Sequence, residues 1–81
     1  MRAFYSPRFK EHLYESSKKI QQKAEKQIGY LVQNLHHPSL RAKKYDEASG
    51  VWQARVDRSH RLYFLIDKDT YILLDIRSHP K

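Results

Sequence analysis

Residues 50–79 read GVWQARVDRSHRLYFLIDKDTYILLDIRSH, and the period of that run decides the fold. Trp52, Ala54 and Val56 alternate with Gln53, Arg55 and Asp57. Leu62, Phe64 and Ile66 alternate with Arg61, Tyr63 and Leu65. After the polar turn DKDT, Ile72, Leu74 and Ile76 alternate with Tyr71, Leu73, Asp75, Arg77 and His79. A period of two marks strands buried on one face, so the run predicts three strands joined by two hairpins. Parity then constrains the register. If Asp57 faces Arg61 across a three-residue loop, Val56 meets Leu62, Ala54 meets Phe64, and the strongly apolar residues share one face. A slip of one residue would set Val56 opposite Arg61 and mix the two faces. In the favoured register the open face carries Arg55, Arg61, Tyr63, Arg77 and His79, with Arg58 in the loop.

Upstream the period lengthens. Ile20, Ala24, Ile28, Leu31 and Leu35 recur at steps of four, four, three and four, with Lys18, Lys19, Gln22, Lys23 and Lys26 off that stripe. This is an amphipathic helix, expected to end near His36-His37-Pro38. Ser6-Pro7 supplies a capping hydroxyl followed by proline in the first turn, and Phe9 and Leu13 mark one face of a shorter helix. Ser16-Ser17 separates the two helices. Met1 to Tyr5 is β-compatible, and residues 38–49 read as a loop. The sequence therefore predicts one α+β domain over residues 1–81, of order β-α-α-β-β-β. Its antiparallel sheet would have a helical hairpin packed on one face.

Composition narrows the function. The 81 residues carry 40% hydrophobic side chains and no cysteine, which removes disulfides and cysteine-based zinc sites. Sixteen Lys and Arg against nine acidic residues give +7, spread along the chain rather than gathered in a tail. A basic charge covering a whole small domain points to a polyanionic partner such as nucleic acid. No apolar run is long enough to span a bilayer, and the first residues lack a hydrophobic signal region. A cytoplasmic protein is the expectation.

The open face holds the chemistry. An arginine fork matches phosphate oxygens and stays charged at any working pH, while histidine exchanges its proton near neutrality. Arg55, Arg61, Arg77 and His79 are the candidate set on that face. Lys43 and Lys44 precede the strand that carries Arg55 and would extend a phosphate track. Tyr63 is the candidate for stacking on a base, whereas the parity of Trp52 assigns it to the core. The competing reading is a solvated strand face in which Arg55 and Arg61 pair with Asp57 and Asp75. Adjacent His36 and His37 point apart on a helix and suit its C-terminal dipole better than a metal.

The run SGVWQARVDRSHRLYFLIDKDTYILLDIRSH at 49–79 resembles the RelE/ParE superfamily of bacterial toxins, most closely its YoeB-like branch. The shared frame is Ser49-Gly50, Trp52, Arg55, His60-Arg61-Leu62, an aromatic residue at 64, Asp67, and Arg77 two residues before His79. The resemblance implies a RelE-like fold and a toxin whose relatives cut mRNA in the ribosomal A site without metal. It implies a cognate antitoxin as partner, with mRNA and the ribosome as target, and no cofactor. In that chemistry the RNA 2′-hydroxyl attacks the adjacent phosphate. Arg61 maps onto the transition-state arginine, Arg55 onto a second phosphate contact, and His79 onto the acid. Lys43, Lys44, Arg58, Tyr63, Arg77 and Lys81 would bind RNA. Two positions depart from the YoeB-like pattern: Pro80-Lys81 replaces a tyrosine after the histidine, and Ala42 stands where that branch has a carboxylate. The alternatives are a ParE-like gyrase poison that cuts nothing, and a catalytically impaired relative that binds RNA or protein.

Overall fold

Two serines set the helical hairpin. Ser6 Oγ accepts from the Phe9 amide and Ser17 Oγ from the Ile20 amide, each at 3.2 Å, so each helix starts on a side-chain cap. The computed structural model describes residues 1–79. Its elements are β1 (Arg2–Tyr5), α1 (Pro7–Glu15), α2 (Lys18–Gln33), a 3-10 turn (Pro38–Leu40), β2 (Lys43–Asp46), β3 (Val51–Arg55), β4 (His60–Asp67) and β5 (Thr70–Ser78). No helix among the described residues is long and apolar enough to cross a membrane.

The α+β class and the helical hairpin stand as expected, but the sheet differs in two respects. It has five strands in the order β1-β5-β4-β3-β2, and it is mixed, because β1 runs parallel to β5. A parallel pair needs a long connection, and here it runs through both helices and strands β2 to β4. The extra strand, β2, arises in the stretch read as loop. All four of its residues are exposed, so it has no apolar alternation to betray it. Its charged side chains suit an edge strand, which they protect from pairing with other chains.

The β3–β4 hairpin pairs Arg55 with Arg61, Gln53 with Tyr63 and Trp52 with Phe64. This register lies two residues from the expected one. Because the offset is even, every side chain keeps its face, and Ala54, Val56, Leu62 and Phe64 are buried. The turn itself moves the register. Asp57 closes it by accepting from the backbone amides of Ser59 (2.9 Å) and His60 (2.8 Å).

Parity fails once, in β5. Tyr63 pairs with Asp75 and Phe64 with Leu73, so Leu74 is an extra residue, a β-bulge. Upstream of it Tyr71 and Leu73 enter the core, where Ile72 and Leu74 were expected; downstream Ile76 is buried as expected. The bulge sits where β1 gives way to α1, with Ser6 Oγ donating to the Leu74 carbonyl at 3.2 Å. Phe9 and Leu13 of α1, and Ala24, Ile28 and Leu31 of α2, close over Leu62, Phe64 and Leu73.

Asp57 couples this fold to pH. Burial works against its charge. Hydrogen bonds from the Ser59 and His60 backbones and from the His60 side chain outweigh burial and hold the carboxyl down at about 2. A depressed carboxyl contributes stability that is complete above the ordinary value near 4 and fades as pH falls toward 2. Asp57→Asn is therefore expected to lower urea-unfolding stability by about 1–2 kcal/mol at neutral pH. That gap should close between pH 4 and 2, and a gap that ignored pH would contradict the assignment.

Candidate functional site

Arg55, Arg61 and Arg77 stand side by side across β3, β4 and β5, joined by the pairs Arg55–Arg61 and Arg61–Arg77. Neighbouring strands lie about 4.8 Å apart, so three like charges in one row repel unless each is answered. The structure treats the three differently. Arg77 turns aside, its guanidinium 4.6 Å from the centre of the Tyr63 ring and its Nε 3.4 Å from Asp75 Oδ2. Arg61 donates through Nη1 to the backbone carbonyls of Asp57 (2.7 Å) and His60 (2.9 Å). Among the described residues no carboxylate pairs with Arg55 or Arg61.

The pairing of Arg55 and Arg61 with Asp57 and Asp75 is thus not formed. Asp57 serves its own turn and meets Lys23 Nζ of α2 at 3.5 Å. Asp75, nearly buried, is held between Arg77 and His12 Nδ1, the latter 2.5 Å away. Neither carboxylate pairs with Arg55 or Arg61.

Arg55 and Arg61 line a hollow together with Arg41, Lys43, Gln53 and His79. His79 is brought there by the end of β5, where its amide donates to the Ser59 carbonyl at 2.6 Å. Lys43 enters because it pairs with Gln53 and so shares the open face. Arg41 was not singled out from sequence, since a lone arginine in a presumed loop carries no signal. It follows the 3-10 turn with a positive φ of 46°. That turn is anchored by buried Leu40 and capped by His37, whose Nδ1 accepts from the Ser39 amide at 3.2 Å. The ring of His37 stacks on Tyr30 with 3.9 Å between centroids, a packing role rather than a ligating one.

Gln27 ties these parts together. It is a buried amide on the apolar stripe of α2, and its nitrogen donates to the carbonyls of Arg55 (2.8 Å) and Ser39 (3.1 Å). One side chain therefore fixes the end of β3 and the turn before Arg41. The helix periodicity could not reveal it, because glutamine reads as a surface residue.

The remaining candidates lie around the hollow or away from it. Lys44 pairs with Trp52 and so belongs to the opposite face, with its ammonium 5.4 Å from the indole. Trp52 packs against the core and stacks on Phe64, as its parity suggested. Arg58 is exposed at the hairpin tip. Tyr63 is 6% exposed, covered by Arg77 and by the edge of Tyr45, so its ring has no free face to offer a base. Lys81 lies outside the described residues. Ala42 packs against the core, while Asp46 caps the following turn through Ala48 and Ser49. Among the described residues the hollow gathers four basic side chains, one histidine and no carboxylate, an arrangement whose charge and donor geometry suit a phosphate-like anion.

Residues 3–81 match a family model described as the ParE toxin of type II toxin–antitoxin systems, parDE. No curated protein matches in the direct sequence comparison. Among solved structures, the YoeB dimer from Staphylococcus aureus superposes with a TM-score of 0.80 at 18% identity, covering 99% of this chain and 98% of that one. The YoeB/ParE toxin from Agrobacterium tumefaciens gives 0.78 at 11% identity, over 99% and 100% of the two chains. YafQ from E. coli strain BL21(DE3) gives 0.79 at 16%, over 95% and 91%. At these identities the structures establish the shared fold.

Replacing Gln27 by methionine keeps the volume and removes the amide. The Arg55 and Ser39 carbonyls then lose their donor, an expected cost of about 1–3 kcal/mol in urea unfolding. An unchanged midpoint would show that the amide does not hold these elements together.

Proposed function

We propose, from the premise that this chain belongs to the ParE toxin family of type II toxin–antitoxin systems, that it is an endoribonuclease acting on mRNA at the ribosome. The observation that carries this reading is the pair Arg55 and Arg61, free of carboxylate partners and set beside His79 in one hollow. The scissile phosphate sits between the two guanidinium groups. The 2′-oxygen of the preceding ribose bonds to phosphorus, and the bond from phosphorus to the 5′-oxygen breaks. The products are a 2′,3′-cyclic phosphate and a 5′-hydroxyl. Negative charge grows on the non-bridging oxygens, where cations already held in place act most directly. His79 in its charged form donates the proton that the leaving 5′-oxygen needs. No Asp or Glu lines the hollow among the described residues; the 2′-hydroxyl proton passes to solvent water as the oxygen attacks, its loss eased by the neighbouring guanidinium charges. The cationic side chains supply the charge that phosphoryl chemistry requires, and the reading calls for no metal.

Lys43 and Arg41 extend the positive surface beyond the phosphate, along the path a single strand would follow. The partner that silences the toxin is a cognate antitoxin. Solved relatives include a YoeB–YefM complex from Staphylococcus aureus and a DinJ–YafQ complex from E. coli.

The family description itself favours a second reading, a ParE-like toxin that poisons DNA gyrase and leaves RNA intact. A histidine beside two phosphate-binding arginines has no evident task in that case. Inducing the protein in cells and mapping transcript 5′ ends separates the two. The nuclease reading expects new 5′-hydroxyl ends within translated codons, reduced at least about a hundredfold in Arg61→Ala and in His79→Ala. His79 is exposed, so its substitution leaves the fold intact. Growth arrest that persists in both variants, with intact transcripts and trapped gyrase–DNA complexes, would establish the second reading instead.

A further inference from the structure

A second hollow lies on the same face, on the other side of Arg77 and Tyr63, lined by Arg8, Tyr45, Asp46, Tyr63, Asp75 and Arg77. It adjoins the first through paired residues: Arg61 of one is opposite Arg77 of the other, and Gln53 is opposite Tyr63. Adjacent strand positions are separated by about the distance from a phosphate to the base of its own nucleotide.

Two β-bulges border this hollow. In β5 the extra residue is Leu74. In β2 the register jumps from Lys44–Trp52 to Asp46–Val51, which makes Tyr45 the extra residue. The second bulge sends Tyr45 and Asp46 to the open face together, where strict alternation would have separated them. Tyr45 touches Tyr63 edge-on, with 4.9 Å between centroids and 65° between planes, yet remains 57% exposed. Tyr63 cannot move to meet a ligand, because Arg77 covers it and Asp75 holds Arg77. A large exposed aromatic on a rigid footing is what stacking on a planar ring requires.

The polar groups select among planar rings. Asp46 offers a carboxylate that its turn orients, since each oxygen accepts one bond, from the Ala48 amide or the Ser49 hydroxyl, and keeps a lone pair for a second donor; Arg8 has no carboxylate partner among the described residues. A base that donates along one edge and accepts along the other satisfies both. Guanine does so, through N1–H and N2–H toward the carboxylate and O6 and N7 toward the arginine fork. We infer that this second hollow is a nucleobase site, with Tyr45 as its stacking platform and guanine as the best-matched base, seating the nucleotide next to the phosphate in the first hollow. The inference rests on reading the first hollow as the phosphate site.

The test is a binding titration by NMR with guanosine monophosphate, adenosine monophosphate and ribose 5-phosphate, which needs no ribosome and no cleavage. Guanosine monophosphate is expected to bind about tenfold more tightly than ribose 5-phosphate. Tyr45→Ala should erase that advantage and leave ribose 5-phosphate unaffected. Asp46→Asn should narrow the preference for guanine over adenine. Arg61→Ala should weaken all three probes. Equal binding of the three probes by the unaltered protein would overturn the inference, as would a guanine advantage that survives Tyr45→Ala. Tyr45-dependent base binding that ignores Arg61→Ala would uphold the base site and refute the phosphate reading of the first hollow.

Discussion

Like charges in adjacent strands are the constraint on which the rest of the structure turns. Arg55, Arg61 and Arg77 occupy one row, and a sheet pays for such a row unless each charge finds an answer. Only Arg77 receives a conventional one, from Asp75 and the face of Tyr63. Arg61 is held by neutral carbonyls of the hairpin turn, which fix its position without cancelling its charge. Repulsion that the fold leaves uncancelled is available to bind an anion.

Holding that arrangement draws on parts far apart in sequence. Asp57 is committed to the hairpin turn and to Lys23 of α2, and Asp75 to His12 of α1 and to Arg77, so neither neutralises Arg55 or Arg61. Gln27 reaches from the buried stripe of α2 to the backbone of Arg55 and to the turn before Arg41. The amide of His79 ties the end of β5 to the β3–β4 turn. Helical packing on one face therefore sets the cation spacing on the other, so the core and the candidate site are not independent.

Much of this was legible in the sequence, and the failures have physical causes. The two helices announced themselves through apolar spacing and serine caps. Face assignment in β3 and β4 survived a wrong register because the error was two residues, and a period-two pattern cannot detect an even shift. The bulge at Leu74 was hidden because Tyr71, Ile72, Leu73 and Leu74 are all apolar, so either phase fits. The edge strand β2 was hidden for the opposite reason, since KKYD shows no apolar period. Parity and family likeness singled out Arg55, Arg61 and His79, and the fold brings the three to one hollow. Arg41 and Gln27 were missed because their positions depend on a turn and a tertiary hydrogen bond. Tyr63 was correctly placed on the open face, but parity says nothing of what covers a side chain, and Arg77 with Tyr45 leaves it buried.

The central claim is that Arg55 and Arg61 together form an RNA phosphate site. Its most direct measurement is an NMR titration of the arginine Nε–H signals with a short 2′-O-methyl RNA, which binds but cannot be cut. The Arg55 and Arg61 signals are expected to shift together and saturate at one RNA concentration, with Arg58 at the hairpin tip little changed. Shifts confined to Arg58, with Arg55 and Arg61 unmoved, would contradict the account.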